Sequence, residues 1–230
     1  MSVRVFDSSE ALSEEAAAHV AQLISDSSGP FHFCLSGGST PKKLYGILAS
    51  PAYRDSIPWE RIHFWWGDER FVPPTDPDSN ERMAREAMLD HVPVLSENVH
   101  AMYREGTAED AAKAYESLLR GVTFDLLLLG LGPDAHTASL FPGDPSIDET
   151  GRLVVASIGA AGVKQRLTLT PPILNASREV LFLAAGEDKQ VPLAHVLNDS
   201  YEPHKYPAQI VARNAPSVLW FIDSAAAGGL

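Results

Sequence analysis

Hydrophobic and polar residues follow one another in blocks that are typical of alternating strands and helices. Four leucines run without interruption from Leu126 to Leu129. An apolar run without polar alternation predicts a strand buried on both faces, as in a parallel sheet. The other predicted strands are Val3–Phe6, Phe31–Leu35, Arg61–Trp66, Val99–Met102, Leu153–Ile158, Gln165–Thr170, Val180–Ala185 and Val218–Ile222.

The segments between these strands carry helical periodicity and capping signals. Leu12, Ala16 and Val20 fall on one helical face, and Asp7 with Glu10 is typical of an N-cap pair. Further helices are predicted from Pro41 to about Ala49, over Asn80–Asp90, from Thr107 to Leu119, briefly after Thr170, and over Glu187–Asn198. The alternation predicts the α/β class, with a mainly parallel sheet flanked by helices in a Rossmann-like three-layer arrangement. We expect one domain over residues 1–230, with a few antiparallel strands in its second half.

The amino-acid composition and net charge of the chain argue against some classes of function. Hydrophobic residues make up 45% of the chain, and 18 Lys and Arg stand against 30 Asp and Glu, for a net charge of −12. This acidity argues against a general binder of nucleic acid or anionic membranes, which would show a basic face. Cys34 is the single cysteine, so no internal disulfide is predicted. We expect a cytoplasmic protein, because neither a signal peptide nor a membrane-spanning run is predicted.

The apolar run at Leu126–Leu129 ends in a segment that could carry chemistry. Gly130, Gly132 and Pro133 break the strand, and Asp134 and His136 follow directly. Ligands of open α/β sheets bind beyond the carboxyl ends of strands, so His136 is a candidate general base and Asp134 its orienting partner. The alternative is that Asp134 only caps a short helix through Leu140.

A second candidate site is the loop Ser36-Gly-Gly-Ser-Thr-Pro41, between a predicted strand and a predicted helix. Gly37 and Gly38 would let the backbone approach an anion, and Ser39 and Thr40 would add hydroxyl donors. Such a helix start suits a phosphate monoester. A tight turn with a Ser/Thr cap explains the loop equally well.

Charged residues at two further strand ends are weaker candidates. Asp68-Glu69-Arg70 follows the strand at Arg61–Trp66, where either a site or a solvated turn is predicted. Lys164 and Arg166 flank a strand start and could bind an anion, although each alone is more often a surface charge. No sequence motif supports a metal site, and Pro142 ends the segment after Pro133 too early for a dinucleotide-binding helix, so no cofactor is predicted.

Five blocks together resemble the 6-phosphogluconolactonase family, the lactone hydrolases of the pentose phosphate pathway. They are LSGGSTPKKLY (35–45), WWGDERFVP (65–73), DSNERMAREAML (78–89), LLLGLGPDAHTASLFPG (127–143) and RLTLTPPILNAS (166–177). The resemblance implies a fold shared with glucosamine-6-phosphate deaminase and a small sugar-phosphate lactone as substrate. It implies His136 as general base, and the glycine loop, Arg70 and Arg166 as phosphate contacts. Ala135 stands where the family often has glycine.

Two alternatives are compared with this function. The first is an isomerising deaminase of amino-sugar phosphates, whose pattern H-x-A-F-N-E-P has a glutamate where this chain has Phe141. Asp68 matches the proton-transferring aspartate of that enzyme, and in a lactonase the same carboxylate could bind substrate or set the charge of the site. The second is a sugar-phosphate sensor domain, for which we would expect a preceding basic DNA-binding segment. We expect a monomer or a weak homo-oligomer.

Overall fold

The fold is that of a computed structural model, which describes residues 1–159 and 162–230. The strands are β1 (Ser2–Phe6), β2 (Phe31–Leu35), β3 (Ile62–Trp66), β4 (Asp68–Arg70), β5 (Leu126–Leu129), β6 (Val154–Ile158), β7 (Gln165–Leu169), β8 (Val180–Ala184) and β9 (Val218–Asp223). The α-helices are α1 (Ser9–Asp26), α2 (Ser39–Leu48), α3 (Pro51–Arg54), α4 (Asn80–Ala87), α5 (Ala108–Leu118), α6 (Pro171–Asn175), α7 (Gln190–Asn198), α8 (Ala208–Asn214) and α9 (Ser224–Ala227). Among these described residues, no helix is long and apolar enough to cross a membrane.

Six strands form a parallel sheet in the order β1-β9-β8-β5-β2-β3. All four leucines of β5 are buried, as their unbroken apolar run predicts. Helices flank the sheet, and the α/β class predicted from the sequence is confirmed. The buried hydrophobic side chains form one continuous cluster. A single domain over residues 1–230 stays a prediction.

A second, antiparallel sheet has the order β4-β7-β6. Asp68, Glu69 and Arg70 of β4 lie opposite Thr168, Leu167 and Arg166 of β7. The antiparallel strands expected in the second half are therefore present. The segment Asp68–Arg70, predicted as the exit of β3, is itself a strand that continues the chain into this second sheet.

The strand order reverses at β2. From β2 the chain adds β3 on one side and later adds β5 on the other side. The loops that follow β2 and β5 therefore leave the sheet in a crevice between neighbouring carboxyl ends. Such a topological switch point is where open α/β sheets bind their ligands.

Several local details differ from the sequence predictions, including the unpredicted short helices α3 and α9. Val99 forms only an isolated bridge to Phe64, so the strand predicted at Val99–Met102 is wrong. The N-cap of α1 is Ser8, whose hydroxyl accepts a hydrogen bond from the Ala11 amide at 3.1 Å. Helix α8 was not predicted, because it is short and its first five residues form an unbroken buried run without amphipathic periodicity.

Candidate active site

A cleft of about 460 Å³ lies at the switch point of the parallel sheet. Its walls come from the ends of β2, β3 and β5 and from the second sheet. The residues that line it are Ser36, Gly37, Gly38, Asp68, Arg70, Asn80, Gly130–Asp134, His136–Ser139, Phe141 and Arg166. Segments that are far apart in sequence therefore meet in one place.

His136 and Asp134 form a close pair on the wall contributed by the loop after β5. His136 Nδ1 lies 2.5 Å from Asp134 Oδ1, and the His136 backbone amide donates to the same oxygen at 3.2 Å. Partial burial favours the neutral form of Asp134, but the hydrogen bond and charge of His136 outweigh it and hold the pKa of this carboxyl below its usual value. An ionised carboxylate only accepts, so neutral His136 carries its proton on Nδ1 and leaves Nε2 as the basic nitrogen.

The backbone around this pair is tightly constrained. Residues 134–140 contain turns and an isolated bridge between Thr137 and Leu140 but no helix, so Asp134 does not cap a helix through Leu140. Ala135 adopts a left-handed φ of 62°, which explains why glycine suits this position in the family. A Cβ at Gly132 would lie 2.0 Å from His136 Nδ1, so only glycine lets the imidazole pack against the chain here.

Asp68 faces the cleft from the start of β4. Its Oδ2 accepts a hydrogen bond from the Ser139 hydroxyl at 2.6 Å. The Ser139 amide donates to Thr168 Oγ1 at 3.1 Å, and its carbonyl accepts from Ser157 Oγ at 3.0 Å. A buried polar network thus fixes the Asp68 carboxylate between the two sheets.

Arg70 and Arg166 bring positive charge to a chain that is acidic overall. They are direct partners in the antiparallel ladder of β4 and β7, where opposite side chains lie about 5 Å apart at Cβ. Burial and the charge of Arg70 lower the pKa of Arg166, although a guanidinium remains protonated at neutral pH. Like charges directly opposite each other are unfavourable, and an anion held between them would relieve their repulsion.

The glycine loop is only partly in the cleft. Gly37 and Gly38 line it, and Gly38 is the N-cap of α2 with a φ of 107°. Ser39 and Thr40 are the first two residues of α2 and are not among the lining residues. Lys164 is exposed and likewise lies outside the set that lines the cleft.

Asn80, Ser139 and Phe141 are among the cleft residues that were not predicted as site residues from the sequence. Asn80 begins α4, and its Nδ2 donates to the Asp68 carbonyl at 2.9 Å. Ser139 holds Asp68, and the ring of Phe141 lies 4.6 Å from that of His136, centroid to centroid. A sequence signal was present for all three, because Ser139 and Phe141 belong to the same block as His136 and Asn80 belongs to the block at 78–89. That Asn80 reaches the cleft depends on tertiary packing.

Across residues 1–159 and 162–230, no group of three or more His, Cys, Asp or Glu side chains is arranged to hold a metal ion. The polar groups that meet in the cleft are instead a histidine–carboxylate pair, a hydrogen-bonded aspartate and two arginines. This set can move a proton and hold an anion.

The fold and the cleft define an α/β protein with a candidate ligand site at the switch point of a parallel sheet. The chain belongs to the family described as glucosamine-6-phosphate isomerases/6-phosphogluconolactonase, whose model matches residues 7–220. It is 42% identical over 206 residues to a 6-phosphogluconolactonase of Synechocystis sp., covering 85% of this chain and 83% of the relative.

Solved structures agree with this family membership. The chain is similar to the 6-phosphogluconolactonase of Trypanosoma brucei, with a TM-score of 0.86, 28% identity, and coverage of 100% of this chain and 98% of the other. A monomeric glucosamine-6-phosphate deaminase superposes with a TM-score of 0.88 and 22% identity over 100% of both chains, which shows a shared fold. The expected fold similarity to the deaminase is therefore confirmed.

Proposed function

We propose that the protein hydrolyses 6-phospho-D-glucono-1,5-lactone to 6-phosphogluconate, a step of the oxidative branch of the pentose phosphate pathway. The observation that carries this proposal is the meeting of the His136–Asp134 pair and the Arg70–Arg166 pair in one cleft. The substrate has two features that need such groups, an ester carbonyl and a phosphate. Similarity to named 6-phosphogluconolactonases supports the same substrate.

In the proposed reaction His136 acts as general base. Its Nε2 removes a proton from water as the water oxygen attacks C1 of the lactone, and a tetrahedral intermediate forms. The imidazolium then returns a proton to the ring oxygen as the bond between that oxygen and C1 breaks. Asp134 orients the imidazole and stabilises its positive charge, because the carboxylate lies 2.5 Å from Nδ1.

The other residues of the cleft hold the substrate in this proposal. Arg70 and Arg166 bind the phosphate, together with the backbone at Gly37 and Gly38 at the start of α2. Anchoring the phosphate places C1 near the histidine, which removes much of the entropic cost of the reaction. Asp68 is held rigidly by Ser139 and hydrogen-bonds the sugar hydroxyls or sets the charge of the cleft.

Phe141 distinguishes this function from the deaminase alternative. A deaminase must relay a proton between two carbons, and its pattern has a glutamate where this chain has Phe141. In the structure the Phe141 ring packs against the ring of His136 and leaves no carboxylate at that position. The apolar contact favours simple base catalysis over a proton relay.

The test follows the lactone and ammonia side by side. Decay of 6-phosphoglucono-δ-lactone is recorded by NMR with and without the protein, because this lactone also hydrolyses spontaneously. We expect decay well above the spontaneous rate and no ammonia from glucosamine 6-phosphate. Lactone decay at the buffer rate would refute the function, and ammonia release at a comparable rate would favour the deaminase.

The proposal also covers the cellular compartment and the oligomeric state of the enzyme. A charged sugar phosphate does not cross membranes freely, so we expect the enzyme to work in the cytoplasm where such metabolites are retained. We also expect a monomer or weak homo-oligomer that does not bind nucleic acid. Size-exclusion chromatography with light scattering measures the assembly state directly.

A further inference from the structure

Glu69 is a buried carboxyl group that takes no part in the proposed reaction. It lies on β4 between Asp68 and Arg70, and it is 1% exposed. Because strand residues alternate in direction, its side chain points away from the cleft that its two neighbours line. A carboxylate this deeply buried is costly unless its oxygens are fully hydrogen-bonded.

Four hydrogen-bond donors contact the Glu69 carboxylate. Oε1 accepts from the backbone amides of Arg70 and Asn80, both at 2.7 Å. Oε2 accepts from the Glu81 amide at 2.8 Å and from the Ser79 hydroxyl at 3.1 Å. One carboxylate therefore joins β4 to the first turn of α4, and each of its oxygens holds one amide of that turn.

The two backbone positions held by Oε1 both carry side chains of the cleft. Arg70 is one of the paired arginines, and its guanidinium also donates to the Asp78 carbonyl at 2.7 Å. Asn80 donates to the Asp68 carbonyl, and a Cβ on Gly37 would lie 2.1 Å from Asn80 Oδ1. Asn80 thus fills the space between β4 and the glycine loop, at the end of the cleft assigned to the phosphate.

We propose that Glu69 is a positioning residue, whose carboxylate fixes Arg70 and Asn80 and so shapes the phosphate-binding end of the cleft. The inference rests on the proposed function, because it assigns the anion between the arginines to the substrate. His136 and Asp134 stand on a different segment, after β5, and none of the hydrogen bonds to Glu69 reaches that segment. Glu69 therefore acts on binding of the phosphate and leaves the proton transfer unaffected.

Glu69→Gln is the direct test, because it keeps the size and removes the charge. An NH₂ group in the place of Oε1 would face two backbone amides, and both of those hydrogen bonds would be lost. In the place of Oε2 it would face the Glu81 amide, and that hydrogen bond would be lost while the Ser79 hydroxyl turns to accept. We expect KM for the phosphorylated lactone to rise about tenfold or more, with kcat within about threefold of wild type. Assays at pH 8 keep Glu69 ionised in the wild type, since burial raises its pKa to about 7 against the opposing effect of its three amide hydrogen bonds.

The matched control is Glu86→Gln, on an exposed position of the same helix. The Glu86 side chain pairs with Arg82 at 2.7 Å outside the cleft, so this variant should leave KM unchanged. A purely structural role for Glu69 predicts a smaller active fraction, which lowers apparent kcat and leaves KM as it was. That result, or a KM equal to that of the control, would overturn the proposal.

A second variant and a binding measurement test the role of Glu69 independently of Glu69→Gln activity. If Glu69→Gln does not fold, Ser79→Ala removes the longest of the four hydrogen bonds together with the N-cap bond from the Arg82 amide. An unchanged KM in that variant would refute the role. Binding of inorganic phosphate, measured by calorimetry, does not depend on catalysis. If the wild type binds phosphate more tightly than Glu69→Gln does, the role of Glu69 is supported. If that same wild type does not hydrolyse the lactone, only the proposed function is contradicted. Equal phosphate affinity would contradict that role.

Discussion

Replacing Asp134 by asparagine isolates the contribution of the carboxylate to catalysis. The Asp134 Oδ1–His136 Nδ1 contact of 2.5 Å is a hydrogen bond between a charged acceptor and a ring that becomes cationic during the reaction. Hydrogen bonds to charged groups contribute about 1.5–3 kcal/mol, and the side chains here are 27% and 39% exposed, which screens their attraction. We therefore expect Asp134→Asn to lower kcat by about tenfold to 150-fold.

The same substitution should leave KM nearly unchanged, because Asp134 does not hold the phosphate. Initial rates are measured on the phosphorylated lactone after subtraction of spontaneous hydrolysis. Asp199→Asn is the matched control, since Asp199 pairs with His195 Nδ1 at 2.7 Å outside the cleft. A kcat for Asp134→Asn within twofold of wild type would show that Asp134 neither orients nor stabilises the histidine.

Three other perturbations test separate parts of the structure. Arg70→Ala or Arg166→Ala should reduce the preference for the phosphorylated lactone over plain gluconolactone by at least about tenfold, and an unchanged preference would exclude that arginine as the anchor. Gly132→Ala should lower kcat by about 100-fold at nearly unchanged thermal stability, because the new Cβ would displace the His136 ring. Wild-type turnover in this variant would show that the His136 ring does not pack against Gly132. Burial and neighbouring positive charges lower the pKa of His100 to about 4 in the folded protein. As pH falls below about 6.5, the unfolded chain therefore protonates His100 before the folded protein does, and the free energy of unfolding decreases towards pH 4. Wild type should therefore lose more unfolding free energy between pH 7 and pH 5 than His100→Phe does, by about 1 kcal/mol after allowance for solvent screening, as measured by urea titration. An equal loss in both proteins would show that the pKa of His100 is not lowered by folding.

The sequence predicts the parallel sheet well because burial is encoded locally. The unbroken leucines of β5 predict a strand buried on both faces, and the glycines and proline after it predict the loop that carries His136. Once β2 and β5 are neighbours, the glycine loop and His136 must share the same edge of the sheet. Each of these segments follows from a local pattern, whereas their meeting depends on the pairing of β2 with β5.

Other features depend on contacts that no local pattern records. Strand β4 has three residues, too few for a periodicity, and it exists because it pairs with β7 nearly 100 residues later. Asn80 reaches the cleft because Glu69 holds the start of α4 beside β4. The segment Val99–Met102 has the composition of a strand, yet Val99 forms only one bridge to Phe64.

The central claim is that His136 is the general base for hydrolysis of a phosphorylated lactone. It is tested most directly by comparing wild type and His136→Ala on 6-phosphoglucono-δ-lactone, with circular dichroism to confirm folding and His204→Ala as a control outside the cleft. We expect the enzymatic rate to fall by roughly 10²–10⁴-fold in His136→Ala and to remain at the wild-type level in the control. A folded His136→Ala protein that hydrolyses the lactone at nearly the wild-type rate would contradict the claim.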